Sequence, residues 1–277
     1  MRRSPVRTGP RLPYPGALPR TPDPARVSTR LRAALYGGSF DPVHLGHVET
    51  ARRAERVFQL DRVLWVPAAE PPHKRGRELA PGPFRLALLY LATAERASWD
   101  VSEEELAREG PSYTYDTVRV APRLFGVPRE ALDLHLVIGS DNLPGLPQWY
   151  EARALLDLVQ PIIAWRDGDP DALLREVAPA FSAEHLRKLE RGFLRLPPLP
   201  VSSSEVRAKL ARGEDCSGLV PDLALDLIQE HGAYGWPRPA GDREGAGGRR
   251  TGGAEGDDED DEDDDPRLHR GPGAGHA

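Results

Sequence analysis

The sequence of 277 residues predicts an α/β fold built on a doubly wound parallel sheet. Three features indicate this fold. Apolar segments of strand length alternate with segments of helical periodicity, the strand segments are apolar without interruption, and several of them end at glycine or proline. Uninterrupted apolar strands are typical of a sheet with helices on both faces, because the crossover connections between parallel strands cover both sides.

The first unit is a strand, a helix and a strand. The apolar run 31–36 ends at two glycines and predicts a buried first strand. Apolar residues then recur at three- and four-residue steps over 45–60, which predicts an amphipathic helix. A second apolar run, 62–67, stops at a proline and predicts the next strand. The proline-rich segment 68–82 predicts a loop.

The alternation continues through the rest of the chain, without an internal repeat. Further helices are predicted over 83–97, 114–125, 149–158, 170–190, 204–211 and 221–231, and further strands over 99–102, 132–138, 161–165 and 192–196. The result is a Rossmann-like arrangement. Ligands bind such a sheet at the carboxyl ends of its strands, near the switch in strand order.

We predict a single folded domain over residues 31–236. Its roughly 205 residues suit one α/β domain. Residues 1–30 are rich in Arg and Pro, and residues 237–277 are Gly-rich and contain an acidic run from Asp257 to Asp265. Both compositions predict disordered tails, because they offer too little apolar surface to offset the cost of ordering the chain.

Composition excludes several classes of protein. The net charge of -6 owes much to the acidic run, and without it the charges nearly balance, so no nucleic-acid partner is expected. Cys216 is the only cysteine, which excludes an internal disulfide and a zinc site of paired thiolates. Neither a membrane span nor a secretory signal is predicted. We expect a cytoplasmic protein whose oligomeric state stays open, a homo-oligomer included.

The strongest chemical signal is the string Gly-Gly-Ser-Phe-Asp-Pro-Val-His-Leu-Gly-His at residues 37–47, between the first strand and the first helix. Glycines after a strand let backbone N–H groups approach phosphate oxygens, and the helix N-terminus adds partial positive charge. His44 and His47 fall on one side of the first helical turn, so both imidazoles can donate to one polyphosphate. Gly46 is expected to leave room for a base or ribose. A lone histidine here would more often be incidental, but the complete string favours a nucleotide site.

This string resembles that of the HxGH nucleotidyltransferases, and among them the bacterial nicotinate mononucleotide adenylyltransferases. Other segments similar to that family occur in the same order between residues 33 and 235. They read Val-Pro-Ala-Ala-Glu-Pro-Pro-His-Lys at 66–74, Gly-Pro-Ser-Tyr-Thr-Tyr-Asp-Thr at 110–117, Ile-Gly-Ser-Asp at 138–141, Leu-Pro-Gln-Trp-Tyr at 146–150, Val-Ser-Ser-Ser-Glu-Val-Arg at 201–207 and His-Gly-Ala-Tyr-Gly at 231–235. Where family members often have Thr and Ile, this chain has Ser204, Val201 and Val206, which keep the hydroxyl and the apolar packing.

The resemblance implies an enzyme of NAD biosynthesis that transfers AMP from ATP to nicotinic acid mononucleotide, giving deamido-NAD and pyrophosphate. It implies in-line attack with Mg²⁺ and no covalent enzyme intermediate, so that catalysis consists of positioning and electrostatic stabilisation. The implied catalytic residues are His44, His47 and Arg207. The implied ATP-binding residues are Gly37, Gly38, Ser39, Phe40, His44, Gly46, His47, Gly139, Asp141, Ser203, Ser204 and Arg207; no side chain is assigned as a metal ligand.

The resemblance also implies a site for the nicotinate nucleotide, made of Ser39, Lys74, Tyr113, Thr114, Trp149 and Tyr150. Trp149 would stack on the cationic pyridine, and backbone N–H groups would satisfy a carboxylate better than a carboxamide, which carries donors of its own. Taken singly, these and neighbouring residues have plainer interpretations: Ser204 as a helix N-cap, Arg207 and Lys74 as solvated charges, Asp41 as a cap of its loop, and Trp149 and Tyr113 as core or rim aromatics.

Other functions stay open at this point. Pantetheine-phosphate adenylyltransferase or a cytidylyltransferase would share the histidine motif, but these lack the Pro-Ser-Tyr-Thr and Pro-Gln-Trp-Tyr segments as a set. Nicotinamide mononucleotide is an alternative second substrate. A nucleotide-binding regulator without turnover is a third interpretation, and loss of His44, His47 or Arg207 would have favoured it. All three residues are present.

Overall fold

The computed structural model describes residues 30–69, 78–197 and 200–237. Within these residues, six strands form one sheet: β1 (Leu31–Gly38), β2 (Arg62–Pro67), β3 (Trp99–Val101), β4 (Leu132–Gly139), β5 (Gln160–Trp165) and β6 (Phe193–Arg195). Their order is β3-β2-β1-β4-β5-β6, and every neighbouring pair is parallel. The order reverses between β1 and β4, so the predicted doubly wound, Rossmann-like α/β fold is confirmed.

Helices cover both faces of the sheet. They are α1 (Leu45–Phe58), α2 (Gly82–Thr93), α3 (Thr114–Phe125), α4 (Ala152–Leu158), α5 (Pro170–Val177), α6 (Ala183–Arg191), α7 (Ser203–Ala211) and α8 (Asp222–His231). Successive residues of a strand point to opposite faces. In β1, Ala34 belongs to the apolar cluster under α1, α2, α7 and α8, whereas Ala33 and Leu35 belong to the cluster under α3 to α6. This two-sided burial explains why β1 is apolar throughout.

Three predicted helices differ from the structure. The helix predicted over 83–97 ends at Thr93. The segment 170–190 forms two helices, α5 and α6, because a short 3-10 turn intervenes and Ser182 caps α6 by accepting a hydrogen bond from the His185 N–H at 3.2 Å. The helix predicted from residue 149 begins only at Ala152. Trp149 has an extended backbone and Glu151 a left-handed one, so neither can continue a helix.

No helix within the described residues is long and apolar enough to cross a membrane. The predicted tails lie almost wholly outside those residues, since residues 1–29 and 238–277 are not described. The domain boundaries therefore stay a prediction.

Candidate active site

The candidate site lies at the carboxyl ends of β1 and β4, where the strand order reverses. This is the position at which open α/β sheets bind ligands. A cavity of about 220 Å³ opens there. It is lined by backbone and side chains from distant parts of the sequence, including Gly37, Gly38, Ser39, Glu105, Ser112, Tyr113, Thr114, Gly139, Trp149 and Tyr150.

The loop between β1 and α1 is supported by buried polar contacts. The guanidinium of Arg85, a residue only 2% exposed, donates to the carbonyl of Ser39 at 2.7 Å and to that of Ala80 at 2.9 Å. The buried carboxylate of Asp41 accepts a hydrogen bond from the Ala80 N–H at 3.1 Å. Buried polar groups with satisfied hydrogen bonds favour one arrangement of the loop. Asp41 is thus part of the support of the loop.

The two histidines of the motif share the first turn of α1. Their rings are stacked, with centroids 3.7 Å apart and planes inclined by 22°. The Nδ1 atom of His47 accepts a hydrogen bond from the backbone N–H of His44 at 3.2 Å. A neutral imidazole that accepts at Nδ1 carries its proton at Nε2. His47 therefore offers a donor at Nε2.

His44 is neutral at pH 7. The residue is 4% exposed, and its burial, followed by the nearby positive charge of Arg166, lowers its pKa from 6.5 to about 4. Within the described residues, its buried Nδ1 has no hydrogen-bond partner. A buried polar atom of this kind calls for an explanation, and one is a ligand that is bound during function.

The buried state of His44 predicts acid sensitivity. Above pH 6.5 the imidazole is neutral in both the folded and the unfolded chain; between pH 6.5 and 4 only the unfolded chain gains the proton, so stability is lost as the pH falls. At about 1.4 kcal/mol per pKa unit, lowering the pH from 7 to 5 should cost about 2 kcal/mol through His44.

Urea unfolding of the wild type and of His44→Asn at pH 7 and pH 5 measures this effect. The variant should lose about 2 kcal/mol less than the wild type over that interval. His135, whose pKa is also lowered by burial, contributes to both proteins and cancels in the comparison. Equal losses would contradict a buried, neutral His44.

Arg166 is a charged residue at the site that the sequence analysis missed. It follows β5 directly, and a β-carbon built on Gly46 would lie 2.9 Å from its Nη2 and 3.0 Å from the His44 ring. These two side chains are the nearest atoms next to Gly46, and the expected room for a base or ribose stays a prediction. The sequence position of Arg166 could have indicated its role, because a charged residue directly after a buried strand lies at the ligand-binding edge of the sheet.

The N-cap of α7 corrects one prediction. Ser202, not Ser204, caps this helix: its backbone is extended, and its Oγ accepts a hydrogen bond from the Glu205 N–H at 3.2 Å. Ser204 already lies within the first helical turn. A run of three serines fits an N-cap equally well at each position by residue type, and the extended backbone at Ser202 decides among them.

The same end of α7 supports the loop after β1. The Ser203 hydroxyl donates to the Pro42 carbonyl at 3.0 Å. The guanidinium of Arg207 donates to the Asp41 carbonyl, lies 3.5 Å from the Asp41 carboxylate, and donates to the Ser204 hydroxyl at 3.0 Å. Arg207 is thus bound to the loop between β1 and α1 through Asp41. Its direct contact with ATP stays a prediction.

Two further predicted ATP-binding residues lie at the edges of the site. The side chain of Phe40 is 1% exposed, and its ring packs edge-on against that of His47 with centroids 5.1 Å apart, so only its backbone is available to a ligand. The carboxylate of Asp141 folds back over Gly139, where an added β-carbon would lie 2.2 Å from Oδ1. The carboxylate can lie against the end of β4 because Gly139 has no side chain.

The residues predicted for the nicotinate nucleotide converge on the cavity. Ser39, Tyr113, Thr114, Trp149 and Tyr150 all line it. The rings of Tyr113 and Tyr150 lie 4.8 Å apart, which joins the two aromatic segments into one wall. The remaining predicted residue, Lys74, lies outside the described residues.

The fold and this geometry define a class of protein, a nucleotidyltransferase with a glycine- and histidine-containing loop at the switch point of a parallel sheet. Residues 35–209 match the family model described as cytidylyltransferase-like. The chain is 38% identical over 205 residues to a probable nicotinate-nucleotide adenylyltransferase of Thermus thermophilus, covering 74% of this chain and 100% of that relative. It is 36% identical over 203 residues to a probable enzyme of the same name from Roseiflexus sp. (strain RS-1), covering 72% and 96% respectively. The chain therefore belongs to the cytidylyltransferase-like family and, within it, to the nicotinate-nucleotide adenylyltransferases.

A solved structure supports the fold. The Plasmodium falciparum nicotinic acid mononucleotide adenylyltransferase complexed with NaAD superimposes with a TM-score of 0.56 at 18% sequence identity, covering 74% of this chain and 98% of that one. The resemblance that the sequence motifs indicated is thus confirmed at the level of family and of fold.

Proposed function

We propose that the protein transfers AMP from ATP to nicotinic acid mononucleotide, forming deamido-NAD and pyrophosphate, as a cytoplasmic step of NAD biosynthesis. One observation carries the proposal. The cavity lined by Tyr113, Thr114 and Trp149 is continuous with the loop at Gly38 and Ser39, so a pyridine site and a phosphate-binding loop meet at one edge of the sheet. An enzyme that joins two nucleotides needs this juxtaposition.

The cavity suits the acid form of the pyridine. Thr114 lines the cavity and begins α3, whose first N–H groups lack partners within the helix. Such a helix terminus favours negative charge, and its donors match a carboxylate, which accepts at both oxygens. A carboxamide would present an NH₂ group to some of these donors. The aromatic face of Trp149 complements the cationic ring.

The transfer is a direct displacement at the α-phosphorus. A phosphate oxygen of the nicotinate nucleotide forms the new P–O bond while the bond to pyrophosphate breaks, so no enzyme nucleophile is needed. The Nε2–H of His47 and the neutral imidazole of His44 donate to phosphate oxygens, and Arg166 supplies positive charge beside them. Donors that are fixed before the reaction stabilise the charge that develops in it.

Mg²⁺ is the cofactor of this proposal and enters with ATP. Among the described residues there is no group of three or more His, Cys, Asp or Glu side chains that could hold a metal ion. Mg²⁺ carried by substrate phosphates needs only one or two protein carboxylates, because phosphate oxygens and water molecules complete its coordination. Asp141, at the end of β4, is the carboxylate the resemblance assigns to the adenosine or metal-phosphate region. The bound ion would neutralise phosphate charge.

Pyrophosphate release with ATP and Mg²⁺ tests the function, with nicotinic acid mononucleotide, nicotinamide mononucleotide and phosphopantetheine as alternative acceptors. We expect kcat/KM to be at least about tenfold higher for the acid than for the amide, because an unmatched polar group in the site costs about 1–3 kcal/mol. Chromatography should identify deamido-NAD. Turnover of phosphopantetheine alone would assign the chain to a sister activity, and no turnover with any acceptor would favour a non-catalytic nucleotide-binding protein.

A further inference from the structure

Glu105 is a buried acid in the wall of the cavity, and the proposed mechanism makes no use of it. The residue is 6% exposed, lies between β3 and α3, and lines the cavity together with Tyr113 and Thr114. A buried carboxyl is costly unless it is well hydrogen-bonded. Its partners therefore indicate what it does.

Two hydroxyl groups bind the Glu105 carboxyl. The Thr117 Oγ1 in the first turn of α3 donates to Oε1 at 2.7 Å, and the Ser112 side chain is the second hydrogen-bond partner. Ser112 Oγ also accepts a hydrogen bond from the Ala69 N–H at 3.0 Å, beyond the end of β2. One carboxyl thus joins the segment before α3, the first turn of α3 and, through Ser112, the chain that follows β2.

We propose that Glu105 is a positioning residue for the nicotinate nucleotide. Its carboxylate holds Ser112 and Thr117, and the segment between them carries Tyr113 and the N-terminus of α3 into the cavity. This inference rests on the proposed function, because it names the substrate whose binding depends on the segment. It concerns the pyridine half of the site, because the hydrogen bonds of Glu105 go to Thr117 and Ser112, on either side of Tyr113 and Thr114.

The negative charge is required for this role. An ionised carboxylate accepts from both hydroxyls, whereas a protonated one is itself a donor at one oxygen. Burial raises the pKa of Glu105, the neighbouring Glu104 raises it further, and the hydroxyls and Arg108 oppose that shift. The positioned form is therefore lost as the pH falls toward this raised pKa, and the KM for the nicotinate nucleotide should rise.

Glu105→Gln tests the proposal, because it keeps the volume and removes the charge. We expect the KM for nicotinic acid mononucleotide to rise about tenfold, the effect of one charge-assisted hydrogen bond of about 1.5 kcal/mol, with the KM for ATP within twofold of the wild type. Glu103→Gln is the matched control, since Glu103 is exposed, outside the cavity lining, and two residues away. It should change neither KM.

Two further readouts separate positioning from folding. Thr117→Val should raise the same KM and Thr117→Ser should restore it, because serine keeps the hydroxyl. The ratio of the KM of Glu105→Gln to that of the wild type should also fall toward one as the pH is lowered, because the wild type then loses its own charge.

Each outcome is decisive. An unchanged KM for the nicotinate nucleotide in Glu105→Gln, or equal rises in both KM values, would overturn the inference while wild-type turnover upholds the proposed function. If Glu105→Gln does not fold, the Thr117 pair decides in the same way. Absence of wild-type turnover would overturn the function and the inference together.

Discussion

His47→Ala should lower kcat by about 10²- to 10³-fold, the usual effect of removing one fixed donor from a developing negative charge. The structure supplies the reason. The Nδ1 atom of His47 is engaged by the His44 backbone N–H, which leaves Nε2 as the donor, and the ring is held between the stacked ring of His44 and the buried ring of Phe40. A donor fixed in this way loses little entropy in the transition state.

The measurement is steady-state pyrophosphate release with both substrates varied. The KM values should change less than kcat, because the contact strengthens as the α-phosphorus is attacked. His231→Ala is the control. This exposed histidine lies at the end of α8, its ring packs against that of Phe84, and neither residue is among those that line the cavity. A fall of less than tenfold in kcat for His47→Ala would show that the loop binds something other than the reacting phosphates.

Arg166→Met should lower kcat/KM by about 10- to 100-fold, because a hydrogen bond between charged groups contributes about 1.5–3 kcal/mol. Methionine keeps an unbranched apolar stem and removes the guanidinium with its charge and donors. The guanidinium lies beside Gly46 and the His44 ring, at the first turn of α1. Positive charge there complements the phosphates of both nucleotides.

The same variant has a readout that does not depend on turnover. Because the positive charge of Arg166 contributes to the lowered pKa of His44, Arg166→Met should move that pKa back toward 6.5, which an NMR titration of the imidazole would detect. Arg195→Met is the matched control. Arg195 is exposed, packs over the Trp165 ring at 5.4 Å, and is the last residue of the neighbouring strand β6, outside the cavity lining. Unchanged activity in Arg166→Met would remove the residue from the proposed site.

The elements of this protein were largely predictable because their signals are local. The strand β2 and the helix α3 have the predicted bounds, since apolar runs that stop at proline and amphipathic periodicity depend on neighbouring residues alone. The helix predicted over 170–190 was wrong as one element. Two local signals of the break were overlooked: Pro179, which cannot continue a helix interior and lies in the turn, and Ser182, which caps α6.

The candidate site was predictable where its residues are close in sequence. The spacing of His44 and His47 predicted that both lie on one helical turn. The motif segments also contained the aromatic residues that line the cavity. Ser204 was wrongly predicted as an N-cap because three consecutive serines share the same local preference. The position of α7 against the loop at Pro42 and the extended backbone of Ser202 settle which serine caps the helix.

The sequence by itself determined the fold class and the family, because hydrophobic periodicity and a contiguous glycine-histidine string are local properties. The tertiary structure alone decided that Arg166 meets His44, that Arg207 is engaged by Asp41, and that Glu105 holds Ser112 and Thr117. These contacts join segments whose adjacency follows from the order of strands in the sheet and from helix packing. Each is an interaction between charged or polar groups whose energy depends on burial and distance, and neither quantity exists until the chain has folded.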